Sequence, residues 1–105
     1  MGLDLWVGPA DPQPHEKYET KVTWNLLDLL KRSGVHYRLL EGLTVKEVRP
    51  VFANAAAVVR DNPEYFQQFV TTPDWGSFEW ALEFLEGLAT YLEDAPDDYV
   101  VSMWY

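Results

Sequence analysis

The stretch SFEWALEFLEGLATYLED, residues 77–94, decides the fold. Phe78, Leu82, Leu85, Ala89 and Leu92 recur at the three- and four-residue spacing of one helix face. Trp80, Phe84, Gly87 and Tyr91 form a second apolar face beside it. Glu79, Glu83, Glu86 and Glu93, with Thr90 between them, fall on a third, narrow stripe. A helix that is apolar over most of its circumference must be covered on two sides. Each large apolar side chain buried there contributes about 1.5–3 kcal/mol, so this helix is expected to dominate the core. Gly87 lies on the face of Phe84 and Tyr91, where close backbone packing is its simplest explanation, since glycine costs about 1 kcal/mol against alanine inside a helix.

Upstream, Thr71-Thr72-Pro73-Asp74-Trp75-Gly76 reads as a turn that resets the chain direction. Downstream, Ala95-Pro96-Asp97-Asp98 breaks the helix. The closing run, Tyr99 to Tyr105, has strong β propensity, no charge and no proline. Left open it would aggregate, so it is expected in the sheet, as an inner strand or beside the N-terminal one.

The remaining chain supplies the partners of that helix. Leu3, Leu5 and Val7 alternate on one face of a strand that Gly8-Pro9 stops. Pro9, Pro12 and Pro14 predict a mobile loop. Glu19 to Trp24 alternates again, with Val22 and Trp24 on one face, and predicts a second strand antiparallel to the first. Asn25 is placed to cap a short helix over 26–33, ended by Gly34. His36 to Leu40 reads as extended. Thr44 and Glu47 have capping-box spacing. Pro50 would break a helix interior, so one turn at 44–48 and a new helix starting on Pro50 are expected. Phe52, Ala55, Ala56 and Val59 are its inward face, small enough to admit another helix. Asn62-Pro63-Glu64 restarts the chain into a short helix anchored by Phe66 and Phe69. The sum is an α+β domain spanning 1–105: a small, mostly antiparallel sheet of about three strands, including both ends of the chain, with three to four helices packed on it.

Composition bounds the function. The chain has 105 residues, 48% hydrophobic and 15% aromatic, enough for a packed core. Without cysteine there is no disulfide or thiolate site, which fits a reducing compartment. No apolar run is long enough to span a bilayer, and the first residues lack the pattern of a signal peptide. Residues 1–60 hold all eight Lys and Arg against seven acids; residues 61–105 hold ten acids and no Lys or Arg. Such a half repels nucleic acid and anionic membranes and favours basic partners. Solubility alone would also account for it.

Several fragments resemble a family of small, uncharacterised proteins from bacteria, phages and prophages. They are residues 1–9 (MGLDLWVGP), 23–25 (TWN), 47–51 (EVRPV), 62–66 (NPEYF), 74–78 (DWGSF) and 82–85 (LEFL). No catalytic residue comes with the likeness. It implies a cytoplasmic bacterial or phage setting, where small acidic proteins often inhibit or recruit host machinery.

Chemistry-bearing motifs are few. His15-Glu16 begins like the helix motif of zinc proteases, but the second histidine is absent and Pro14 precedes it. His36 follows a helix end and reads as structural. Ser33, Ser77 and Ser102 lie in no nucleophile elbow. No glycine-rich loop follows a strand. Glu93, Asp94, Asp97 and Asp98 cluster without the spacing of a calcium loop, and acids at a helix C-terminus oppose its dipole, which hints at a use other than stability. From Glu79 to Glu93 the stripe spans about 21 Å, a length over which duplex DNA carries about 12 phosphate charges. Four glutamates imitate DNA poorly; a patch for a Lys/Arg-rich protein asks less. The expected binding residues are therefore Glu79, Glu83, Glu86, Glu93, Asp94, Asp97 and Asp98, together with Trp75 as a partly exposed aromatic, with the other tryptophans mostly at core periodicity. The expected role is a non-enzymatic acidic interaction protein with a basic protein partner, no cofactor and no metal, in a phage context an inhibitor of a host nucleic-acid-handling protein. Two alternatives stand beside it: self-association through the aromatic C-terminal strand, and a small hydrolase built from His15 or His36 and acids.

Overall fold

Leu3, Leu5 and Val7 are buried on one face of β1 (Gly2–Gly8), while Asp4 and Trp6 on the other face keep partial solvent access. The computed structural model describes residues 2–10, 18–70 and 76–105. The proline-rich loop around Pro12 and Pro14, His15, and the turn carrying Asp74 and Trp75 lie outside the described residues. β1 is the central strand of an antiparallel sheet with order β2-β1-β3. β2 (Tyr18–Thr23) pairs Val22 with Leu3 and Thr20 with Leu5. β3 (Val100–Trp104) pairs Val101 with Val7 and Met103 with Leu5 on the opposite side. The C-terminal run thus lies beside the N-terminal strand, at an edge rather than inside. That edge is covered in part by the preceding loop. Gly42 N–H donates to the Val101 carbonyl at 2.8 Å, and Val101 N–H donates to the Leu43 carbonyl at 3.0 Å. Part of an otherwise exposed pairing edge is closed in this way.

Four α-helices follow: α1 (Leu27–Arg32), α2 (Val45–Asp61), α3 (Pro63–Gln67) and α4 (Phe78–Asp94). Alternating burial along β1 places the core on one face of the sheet, making two layers, and the α+β expectation holds. α4 buries Phe78, Ala81, Phe84, Leu85, Leu88 and Leu92. Its second side is covered by β2: Tyr18 stacks on Tyr91 with ring centroids 4.4 Å apart. A Cβ at Gly87 would lie 3.1 Å from the Tyr18 hydroxyl, so the close approach there is to a side chain rather than to backbone. Among the described residues the buried set contains no charged or polar side chain.

Local chemistry departs from expectation in four places. Trp24 is not a strand residue; it opens a 3-10 turn (Trp24–Leu26) and is 46% exposed. Asn25 caps nothing. Its side chain accepts from the Thr23 hydroxyl and donates to the Gly76 carbonyl at 2.9 Å, so a residue suited to local capping is taken by a distant backbone. His36 to Leu40 is not extended but forms a 3-10 turn over Tyr37–Leu39 that buries Tyr37. Pro50 does not start a helix; α2 runs unbroken through it. Its missing N–H would have met the Lys46 carbonyl. That loss is offset at the same end of the helix, where Val45 N–H donates to the Tyr99 carbonyl (2.7 Å) and Lys46 N–H to the Asp97 carbonyl (3.2 Å). Other expectations hold. Thr44 and Glu47 form the capping box, and Gly34 (φ +107°) ends α1 with Val35 N–H bonded back to the Leu30 carbonyl.

Two outcomes are expected. Gly76→Ala drives a methyl into the Thr23 hydroxyl and to within 3.2 Å of Asn25 Oδ1. Such overpacking costs about 1–3 kcal/mol, read as a lower urea midpoint at unchanged slope. Hydrogen bonds from the Thr44 backbone, and then its side chain, hold the Glu47 carboxyl below its ordinary value of 4.5. A depressed folded value means that the box stabilises above the unfolded value and is lost as pH falls through the folded one. Glu47→Gln, which keeps the box geometry, flattens that segment of the acid unfolding curve.

Candidate functional site: the acidic face of α4

Successive residues of a helix are rotated by about 100°, so Glu79, Glu83, Glu86 and Glu93 share a sector of about 80°. They sit on the side of α4 left over once Phe78, Leu85, Leu88 and Leu92 turn inward. Glu79, Glu83 and Glu93 are exposed, with Asp94 at the last position of the helix and Asp98 beyond it. None of these five carboxylates is held in an ion pair among the described residues. Ser77 fixes where the stripe begins, its hydroxyl accepting from Trp80 N–H at 3.2 Å. A side chain on so well-buried a helix is presented on a rigid support.

The row is not uniform. Glu86 is half-buried and lies 3.6 Å from Arg60 Nη1, so it does not look outward free like its neighbours. Arg60 also faces Asp61 at 3.6 Å. One cation shared by two carboxylates leaves that spot net negative, and such exposed pairs contribute only about 0–1 kcal/mol. Arg60, Glu86 and Glu93 rim a shallow depression of about 370 Å3 floored by Ala53, Ala56 and Ala89, where α2 and α4 pass each other.

The acids after the helix are divided in role. Arg49 reaches across from α2. Its Nε donates to the Leu92 carbonyl at 2.7 Å, and its Nη2 donates to the Ala95 carbonyl at 3.0 Å and to Asp97 Oδ1 at 2.8 Å. A guanidinium thus satisfies the open carbonyls at the negative end of α4. The expected conflict between the acids and the helix dipole is answered by this residue, and Asp97 belongs to the scaffold rather than to a free surface. Trp75 lies outside the described residues. Burial pushes the Tyr18 hydroxyl up, and burial with neighbouring Tyr99 and Tyr18 does the same for Tyr91, so both phenols stay neutral near pH 7.

Among the described residues no three His, Asp or Glu side chains converge as a metal ion would require. His36 is exposed ahead of its 3-10 turn. The four described tryptophans, Trp6, Trp24, Trp80 and Trp104, are absent from the buried core, contrary to the core periodicity read for most of them. Trp80 instead lies over β2, its indole N–H donating to the Lys21 carbonyl at 3.1 Å. No described helix is long and apolar enough to cross a membrane.

Sequence reasoning missed Arg49 and Arg60. A signal was present: Arg49, Ala53, Ala56 and Arg60 are spaced four, three and four residues apart, one helix stripe with small residues between two cations. A stripe of that kind fits an antiparallel neighbour whose charges meet the arginines at both ends.

Compared with known protein families, curated proteins and solved structures, the chain matches none. Asn25 and Gly76, one residue from each of two fragments that carried the family likeness, are joined by a hydrogen bond.

Arg49→Ala is expected to lower stability by about 2 kcal/mol, the order of hydrogen bonds to a charged group. Arg49→Lys restores only part of it, because a single ammonium does not reproduce the planar fork. Urea unfolding of the three proteins measures both effects.

Proposed function

We propose that this protein is a non-enzymatic binding protein whose acidic α4 face docks on a basic surface of another protein. The observation that carries the reading is charge segregation: after Arg60 the sequence has ten acids and no Lys or Arg. Glu79, Glu83, Glu93, Asp94 and Asp98 are exposed and unpaired among the described residues. Their support favours binding as well. A helix already held in place adds no backbone ordering cost when a partner arrives. Complementary charge also speeds encounter and rejects acidic competitors. In the phage or prophage setting that the family likeness implies, the partner is a nucleic-acid-handling host protein, whose phosphate-binding surface supplies the Lys and Arg, and the role is inhibition in the cytoplasm. The self-association alternative has less support, because the loop at 42–44 already occupies β3 at Val100 and Val101.

The test compares two variants of equal net charge. Glu79→Lys/Glu83→Lys/Glu93→Lys reverses the face; Glu19→Lys/Glu41→Lys/Glu64→Lys reverses three exposed acids elsewhere. Capture of host protein from lysate is expected to fail for the first and persist for the second. For the unmodified protein it is expected to fade as salt shortens the screening length from about 8 Å at 0.15 M to about 3 Å at 1 M. Equal capture by both variants, or capture indifferent to salt, refutes the reading.

A further inference from the structure

The positive charge of the first sixty residues is not scattered evenly. Lys31 from α1 and Arg38 from the 3-10 turn after it converge on one aromatic group. Lys31 Nζ stands 5.6 Å from the centre of the Tyr37 ring; the Arg38 guanidinium carbon stands 5.8 Å from Tyr37 and 5.5 Å from Tyr105. The two tyrosines meet edge to face, with centroids 5.2 Å apart. Together with Trp24 and Leu27 these residues line a cleft of about 500 Å3, within the range of about 300–1,000 Å3 typical of small-molecule sites.

Three properties of the cleft bear on its occupant. Among the described residues no Asp or Glu lines it, in a chain with 17 acids and 8 bases. Neither Lys31 nor Arg38 is in an ion pair among the described residues. Arg38 also bonds the Tyr37 side chain, but a guanidinium has five N–H donors and most stay open, in a fork that matches phosphate geometry. Finally, Trp24 and Tyr105 are each about half exposed (46% and 47%) beside a buried Tyr37. Solvent-facing rings of this kind are platforms on which a base stacks.

We infer that this cleft binds a free nucleoside monophosphate, the base stacked on Trp24 or Tyr105 and the phosphate held by Lys31 and Arg38. A phosphate monoester carries about −1.5 to −2 charges at neutral pH, which matches two cations where a carboxylate would leave one unanswered. A nucleic-acid strand fits less well, since its further phosphates would meet a protein of net charge −9. The cleft shares no residue with the acidic face of α4, so this inference stands or falls apart from the docking proposal.

The experiment is a titration of the full chain, followed by amide and indole resonances in 1H–15N spectra. The ligands are AMP, adenosine, inorganic phosphate and a short oligodeoxyadenylate. AMP is expected to shift Trp24, Lys31, Tyr37, Arg38 and Tyr105 saturably and to bind at least about tenfold more tightly than adenosine or phosphate. In Lys31→Gln/Arg38→Gln the AMP affinity falls by about tenfold or more while adenosine is unaffected. Both side chains are exposed, and retained dispersion of the spectrum verifies the fold. Of Trp24→Ala and Tyr105→Ala, an independent arm, at least one weakens AMP and adenosine alike, and no loss in either variant overturns the stacking. The inference is overturned by any of four results: no saturable shift at millimolar AMP, phosphate binding as tightly as AMP, undiminished AMP binding by the double variant, or tighter binding of the oligonucleotide.

Discussion

The antiparallel seam between α2 and α4 is the constraint on which the rest depends. Alanines at 53, 56 and 89 let the two helices approach, and an arginine closes each end. Arg49 fastens the last turn of α4 to the first turns of α2, while Arg60 meets Glu86 further back along the same groove. Neither arginine is fully buried, so the desolvation cost of the guanidinium stays modest. At the Arg49 end the acceptors are backbone carbonyls that helix geometry leaves without partners. The chain segment at 97–99 answers the free N–H groups of Val45 and Lys46 in turn. The start of one helix and the end of the other therefore satisfy each other, and an unbroken α2 can carry Pro50.

This seam also decides what the acidic stripe can be. Because α4 is held by α2 on one side and by Tyr18 and Trp80 against β2 on the other, it cannot roll to hide or redistribute its glutamates. The acids spared by the arginines stay at fixed positions on one rigid support. Their mutual repulsion is a cost to the folded chain, carried by the apolar contacts on the opposite side of the same helix.

Periodicity made much of this architecture legible. Leu3, Leu5 and Val7, the inward face of α2 at Phe52, Ala55, Ala56 and Val59, and the long helix ending at Asp94 were all readable from spacing, because each repeats a single pattern over several turns or residues. The burial centre of α4 was read slightly off, since Ala81 and Leu88 lie deeper than Leu82 and Ala89. What escaped was tertiary. Asn25 has the right chemistry for a cap, yet a carbonyl fifty-one residues away claims it. Pro50 is a helix breaker by local rules, and only bonds from 97 and 99 make it tolerable. Of the candidate site, the stripe was visible as a stripe, but which acids are free could not be, because Arg49 and Arg60 act across the helix pair. The aromatic cleft was invisible for the same reason: its walls come from 24–38 and 105, and no spacing rule joins them.

The placement of β1 has a consequence for the order in which the sheet closes. Its pairing with β2 is local, but its other flank is completed only by residues 100–104. In the unfolded chain one side of that strand has no ladder until residues more than ninety positions away return to it. Loop closure of that span is an entropic barrier that local helix formation does not lower. The rate-limiting docking step is therefore expected to be the arrival of β3, which closes the longest loop in the sheet.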